Sequence, residues 1–506
     1  MLNSYPAVDL NKVASDENGS RQLPGSLRIQ KFSTFDQVKP TPVIIYNQMK
    51  YLLKNLNAIV LLIIALLYFI VLSILIPFPE NYTHHLYILP DSLTYLNAAK
   101  LIYKSGFTFD PTRPFGYPIL IGLPYLAGIS GFLSILKFSV FINICCWLLS
   151  VLFLYKTIKQ LINGKTAFYI TLIFIFTFSY IYFIYQAMTE SLFTLLVILF
   201  SYCLMRYFEA KKYTFLLASL FFLCYSVVVR PISFYICTAF FVYCIWLAFK
   251  NKDLRLFFLS IIIFTSTIGL QMGMIYRESG KFAISFIQNY TMDRFLITRA
   301  AYLKEKNEAA FKLHSYDNYQ EFLIYYNKKW DPKDSVYNAI TNEHDIIRYW
   351  ATSDGDYKKD IANELRNDKT YFFKSYLYNL LENVKNGSFF PRLITWEQKK
   401  KKFEALKTNV NNITSFQNKV FCSLMFIMSL VVFISFLFHR PFRNRDLIFT
   451  GILNIIMIYL FLASGISFWQ ADRFNIVWYP LLMICFPCLF KYLLTKFKKQ
   501  GMTSQV

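Results

Sequence analysis

The sequence predicts an all-α, polytopic transmembrane protein of about ten spans, with interfacial helices in its first external loop and a mainly helical external insert. Three observations predict it. The 506-residue chain is 56% hydrophobic and 19% aromatic. Its apolar runs repeatedly approach the roughly 20 residues needed to cross about 30 Å of hydrocarbon. Its Lys and Arg concentrate in short loops beside those runs, the pattern of cytoplasmic loops. The formal charge of +23 is therefore read as topology, and no nucleic acid partner is expected. All nine cysteines (145, 146, 203, 224, 237, 244, 422, 485 and 488) fall within apolar runs, which argues against a disulfide framework or a zinc site.

Residues 1–50 are polar, rich in Ser, Asn and Asp, and read as a disordered cytoplasmic tail without a cleavable signal. A membrane core follows over 51–276, and its first external loop, 77–134, holds the candidate chemistry. Spans are expected at 56–76, 135–155, 167–184, 188–207, 213–229, 231–249 and 254–276. Residues 277–419 form an extracytoplasmic insert, too long for a connector and helical in pattern around 358–384. Three more spans follow at 420–438, 447–468 and 474–494, and 495–506 is a second cytoplasmic tail.

The apolar segment 117–134 is long enough to raise an eleventh span, but it is broken by Pro118, Pro124, Gly116, Gly122, Gly128 and Gly131. Loop charge decides its place. Loops near 156–165, 206–213, 250–255, 440–445 and 491–499 hold sixteen Lys and Arg, whereas the turns near 185–189, 230 and 469–473 hold two. The basic loops belong on the cytoplasmic side. Lys50 and Lys54 put the N-terminal segment there too, so 117–134 must dip into the outer interface without crossing, its backbone buried against protein.

Chemistry concentrates after the first span, in ILPDSLTYLNAAKLIYKSGF and the following TRPFGYP. Pro90 and Asp91 open a helix that Gly106 ends, so Asp91 reads either as its N-cap or as a catalytic carboxylate. Tyr95 lies on the same helical face, with the small residues Ala98 and Ala99 beside it. Arg113, in a turn fixed by Pro114, Gly116 and Pro118, either snorkels to headgroups or neutralises a phosphate. Tyr117 belongs to the same turn. Glu190 opens a later span, where an acid complements the helix dipole. Arg230 joins two spans, and Asp472 and Arg473 precede the last. His84 and His85 read as solvated residues of a polar turn, and the Lys399–Lys402 run as a solvated face. What binds the candidates together is their side: Asp91, Arg113, Glu190, Arg230, Asp472 and Arg473 all come out external. Ionisable groups near membrane depth are costly to hold there and are usually functional.

In order, the pattern is Asp91, Ser92 and Tyr95; Arg113, Pro114, Gly116, Tyr117 and Pro118; Thr189 and Glu190; Arg230 and Pro231; Arg473, Phe474 and Pro480. It resembles the GT-C superfamily of integral-membrane glycosyltransferases, most nearly the protein O-mannosyltransferase and lipid A aminoarabinose transferase group. The likeness covers about 50–250 and, more weakly, 465–485. It departs from the family where position 92 is Ser instead of a second acid, and where 470–473 reads QADR. The resemblance implies inverting transfer of a sugar from a polyprenyl-phosphate-linked donor to a glycan, lipid or protein acceptor at the outer membrane face. Asp91 would be the general base, and Arg113, Arg230 and Arg473 would hold the donor phosphate. Tyr95, Tyr117, Glu190 and Asp472 would orient the substrates. No cofactor is required and a divalent metal is optional.

Two other classes were weighed on the residues. A transporter or flippase of lipid-linked sugars predicts midplane charges and internal repeats, and the sequence has neither. An O-antigen polymerase or ligase predicts paired arginines in the external loop, where this insert has dispersed ones at 294, 299, 348, 366 and 392. The composition, dense in Ile, Phe, Tyr, Lys and Asn, suits a bacterial inner membrane with both termini cytoplasmic. Sequons at Asn81, Asn289, Asn386 and Asn412 leave an endoplasmic reticulum open.

Overall fold

The computed structural model describes residues 42–75, 90–306 except 107, 362–385 except 364, 402–438, 445–467 and 471–503. The chain divides into Met1–Lys54, of which only the start of one helix is described, and Asn55–Val506. Every regular element among the described residues is helical. In chain order these are α1 (Pro42–Leu75), α2 (Pro90–Lys104), α3 (Pro118–Ile121), α4 (Phe132–Leu161), α5 (Gly164–Ile175), α6 (Phe178–Ile184) and α7 (Glu190–Ala210). Next come α8 (Tyr213–Val229), α9 (Phe234–Asn251), α10 (Leu254–Phe264), α11 (Leu270–Ser279), α12 (Ile287–Met292) and α13 (Thr298–Lys306). The last four are α14 (Lys369–Lys385), α15 (Lys402–Phe438), α16 (Arg445–Ala463) and α17 (Tyr479–Thr503).

Among the described residues, seven helices are long and apolar enough to cross a membrane, or eight if α5 and α6, bent by 56° at their junction, count as one broken span. They make this an integral membrane protein by composition and length. The helical stretch Tyr479–Leu494, at the start of α17, and helix α8 are shorter apolar segments. The segment after Arg113 folds as two short pieces, α3 and a 3-10 turn over Leu123–Ala127, instead of one long helix. Its prolines and glycines explain this, since Pro removes ladder donors and Gly weakens helix propagation.

One sequence boundary differs from the observed elements. The insert is expected to end at 419, but α15 runs unbroken through that point, so the end of the insert and the next apolar segment are one rod. The span expected at 254–276 is present as one apolar helix over Leu254–Ser279, in which α10 and α11 join through a π-turn at Thr265–Gly269. Much of the insert, the expected tails, the Lys399–Lys402 run and His84 and His85 lie outside the described residues, or have side chains outside them.

Loops expected on one side do meet one another. At the basic end, Lys491 Nζ donates to Leu161 O at 2.7 Å, and Asn251 Nδ2 donates to the Tyr213 hydroxyl at 2.6 Å. At the opposite end, the Ser73 and Tyr185 hydroxyls lie 2.7 Å apart, Tyr225 donates to Gly116 O, and Tyr459 donates to Ile232 O, each at 2.8 Å. A continuous apolar core lies between them, centred on α4, α7, α8 and the start of α17. Helix α7 is the most enclosed of the long apolar helices, with 78% of its apolar window buried inside the protein. This central helix delivers Glu190 to the end opposite the basic loops.

Candidate functional site

Helix α2 begins at Pro90, so Asp91 is its second residue and not its N-cap; this corrects the structural alternative for that side chain. Proline at the first helical position suits the rule that its missing N–H is an orphan there anyway. Gly106, at φ +71, terminates the helix as expected. With no capping to do, the Asp91 carboxylate faces across to the TRPFGYP turn. Its Oδ1 accepts from Arg113 Nη2 at 2.5 Å, and its Oδ2 accepts from Arg473 Nη1 at 2.5 Å. Arg473 turns its Nε to Glu190 Oε1 at 2.5 Å, and the same oxygen lies 3.3 Å from Arg230 Nη1. Five residues from five places in the chain thus form one chain of contacts: Arg113, Asp91, Arg473, Glu190, Arg230.

Three guanidiniums meet two carboxylates in this chain of contacts, and a third buried carboxylate, Asp110, lies beside Arg113. Four members are sealed from solvent: the side chains of Arg113, Arg230, Arg473 and Glu190 are 6%, 9%, 9% and 0% exposed, against 30% for Asp91. Asp91 is therefore the open tip of a buried, arginine-rich cluster. Burial works against its charge, but the two facing arginines and the hydrogen bonds they donate outweigh burial and hold the carboxyl well below the usual carboxylate range. Burial likewise opposes charge on Arg473, and Glu190 with Asp91 more than compensates. At Arg230 burial outweighs the attraction of Glu190, and with Arg473 also opposing the charge its value is lowered. Within the cluster, Glu190 Oε2 is buried with no hydrogen-bond partner among the described residues, as are the hydroxyls of Thr189 and Thr194. The partnered oxygens of Asp91 and Glu190 are held by arginine, and no group of three or more His, Cys, Asp or Glu that could hold a metal ion is present among the described residues.

Local folding explains each placement. The Arg113 turn is built on Asp110, a buried carboxylate whose Oδ1 accepts from the Thr112 N–H and hydroxyl at 2.7 and 2.6 Å and from the Arg113 N–H at 3.2 Å. Gly116 N–H then donates to Val228 O at 2.8 Å. A Cβ at Gly116 would sit 2.6 Å from that oxygen, so only glycine permits the approach. Arg113 Nε donates to Thr94 Oγ1 at 2.7 Å, and its guanidinium lies 4.9 Å from the Tyr95 ring centre, a cation–π contact. Tyr95 meets Tyr117 edge to face. The fully buried Tyr117 donates its hydroxyl to Asn143 Oδ1 at 3.2 Å, so it supports the arginine turn from below. Arg230 lies over the rings of Phe193 and Phe474. The Asp472 side chain lies outside the described residues.

Sequence reasoning missed four polar residues that hold this site. Asn143, in the middle of an apolar helix, donates to the carbonyls of Phe183, Ile184 and Gln186 at 3.3, 3.3 and 2.7 Å and so shapes the buried loop that leads to Glu190. Gln186 accepts from Ser92, beside Asp91, at 3.2 Å. Gln271, just after the π-turn, accepts from the Phe115 N–H and donates to Ile284 O, each at 3.0 Å. Asp110 is the fourth. The available signal was a lone amide or acid among apolar neighbours, which is costly to bury unless something there needs it.

The insert reaches the site as well. Helix α14 holds the strand of chain before Arg473: Asn379 donates to Gly465 O at 2.9 Å, Asn383 to Ser464 O and Ser467 O at 3.0 and 3.1 Å, and Asn475 to Asn383 O at 2.6 Å. From its other side, fully buried Arg299 grips Glu382 through two contacts at 2.8 and 3.2 Å and also donates to Asn379. Arg299, one of the dispersed arginines of the insert, is thus a structural anchor for α14.

No family model matches this sequence, and no curated protein or solved structure matches it either.

Proposed function

We propose that this protein is a membrane glycosyltransferase that moves a sugar from a polyprenyl-phosphate-linked donor to a glycan, lipid or protein acceptor at the end of the bundle opposite the basic loops. One observation carries the reading: Arg473 bridges Asp91 and Glu190 inside a buried cluster of three arginines. Buried arginines with an exposed carboxylate at their tip suit an anionic leaving group next to an acceptor hydroxyl.

In this reading the donor phosphate enters among the three guanidiniums. Arginine forks are suited to it, since charge-assisted and bidentate bonds to phosphate oxygens are the strong ones. The acceptor oxygen attacks the anomeric carbon, the bond from that carbon to the phosphate oxygen breaks, and the acceptor proton passes to Asp91. The carrier phosphate departs with one more negative charge than it brought, and Arg113, Arg230 and Arg473 stabilise that increase. Glu190 keeps Arg473 and Arg230 aimed, and its second oxygen accepts from a sugar hydroxyl.

The doubly paired Asp91 is a weak base as it stands. Phosphate competes for the same guanidinium donors, so donor binding draws Arg113 and Arg473 from the carboxylate and raises its basicity as the substrate arrives. Base catalysis is then coupled to donor occupancy, which protects the carboxylate from idle chemistry. No divalent metal is needed, because the leaving group is already stabilised by cations.

The membrane arrangement completes the proposal. Ten crossings result when the broken pair α5–α6, helix α8 and the first part of α17 are counted with the seven long helices. The basic loops lie in the cytoplasm, in a bacterial inner membrane. The decisive experiment incubates the purified protein with a panel of polyprenyl-phosphate sugars and an acceptor extract, and measures free carrier phosphate. Release with one donor class supports the reading. A folded protein that releases none from any donor sinks it.

A further inference from the structure

Far from the charge cluster, near the basic end, a groove of about 950 Å³ opens between α5, α15 and α17. Its walls are apolar: Ile170 and Ile173 on α5, Phe421 and Leu424 on α15, Phe486 and Phe490 on α17. Its polar groups gather at one end, where Asn163, Thr166 and Lys491 line the mouth. From Asn163 to Ile173 the groove follows α5 for about 15 Å, at 1.5 Å per residue. Sequence explains the opening. Pro487 lies inside α17, where it cannot donate to the Met483 carbonyl and its ring crowds that turn, and both residues line the groove.

The groove's depth and charge specify what fills it. Helix α15 includes one of the seven segments able to cross a membrane, and α5 belongs to the broken pair, so these walls stand in hydrocarbon. An apolar cavity of this kind does not hold water well. Its mouth is cationic: Lys491 is exposed there, fixed by its bond to Leu161 O, and Lys156 and Lys159 lie near the end of α4 and Lys165 in the first turn of α5. Two acids lie nearby, Glu209 paired with Arg206 at 3.3 Å and Asp446 with Arg445 at 3.4 Å, and both line a small cavity with Lys491; the lysines and arginines at this end outnumber them. Basic residues at a bilayer surface attract anionic headgroups.

We propose that this groove is a binding site for an anionic phospholipid, with an acyl chain lying between α5, α15 and α17 and the phosphate at Lys491 and the α5 N-terminus. The site is independent of the transfer reaction and would exist if that reading failed. Its occupant wedges α5 against α17, the helix that follows Arg473, and so supports the broken span from the leaflet opposite the charge cluster.

The test uses the full-length protein, stripped of lipid in detergent and offered phosphatidylglycerol or phosphatidylcholine of identical chains, with bound lipid counted by native mass spectrometry. The native protein retains phosphatidylglycerol in preference to phosphatidylcholine. Lys491→Gln reduces that preference about fivefold, the worth of one basic residue at a membrane surface. Leu424→Trp and Ile173→Trp, which fill the groove from opposite walls, each remove the retained lipid, and thermal unfolding identifies which of the two variants is folded for the count. Equal retention of the two lipids by the native protein overturns the proposal, as does undiminished retention in a folded groove-filling variant.

Discussion

At the residue scale, Asp91 is defined by its company. A carboxylate with two arginine partners has its folded-state value depressed below the ordinary value of about 3.9. It therefore contributes stability that is fully present above that value and is lost as pH falls through the lower folded one. At neutral pH it is ionised and poised. Replacing Asp91 by Asn should lower transfer by about 10²- to 10⁴-fold, the usual worth of a general base, while the protein still inserts and purifies as a folded species. Near-native transfer by that variant would remove Asp91 from the mechanism. A second outcome concerns pH. The acid limb of kcat/KM reports the free enzyme, with both arginines on Asp91, whereas that of kcat reports the donor complex. If donor phosphate draws the arginines away, the kcat limb lies at higher pH; coincident limbs would show that Asp91 keeps its partners throughout.

At the element scale, the site depends on pieces of chain that make no contact with the reacting groups. Helix α14 holds residues 464, 465, 467 and 475 through side-chain amide bonds to backbone carbonyls, and Arg473 lies close to them in the chain. Breaking the buried Arg299–Glu382 pair with Glu382→Ala leaves an uncompensated buried cation and should destabilise the protein by roughly 3–5 kcal/mol. Amide exchange over 462–475 should quicken in that variant more than over α7, which has its own enclosed packing. Uniform exchange across both would mean that α14 only covers the core. A substitution at the Arg113 turn acts differently. Gly116→Ala would push Val228 O from its 2.8 Å bond, so it should reduce transfer without altering the contacts of Glu190 or Arg230, and an unchanged rate would make the close approach dispensable.

At the scale of the whole molecule, the arrangement of loops into two ends is the organising fact. Cysteines placed at Gln160 and Trp350 should label from opposite sides of the membrane with an impermeant maleimide; labelling from one side would overturn the placement of 117–134 and of the insert. Much of this was legible in the sequence. Apolar runs near 20 residues mark the membrane-spanning helices, because hydrocarbon tolerates neither unpaired backbone nor charge, and sixteen cationic side chains in five loops predict the sides that the labelling tests. The same physics marked Asp91, Arg113, Glu190, Arg230 and Arg473 as residues out of place, and they were found without any distance information. What tertiary structure alone decided is which of them touch. Asp91 and Arg473 are 382 residues apart, and no periodicity encodes a 2.5 Å contact over that separation. The supporting amides Asn143, Gln271, Asn379 and Asn383 were hidden for the same reason: a polar side chain reveals its purpose only when the carbonyls it satisfies are brought to it by folding.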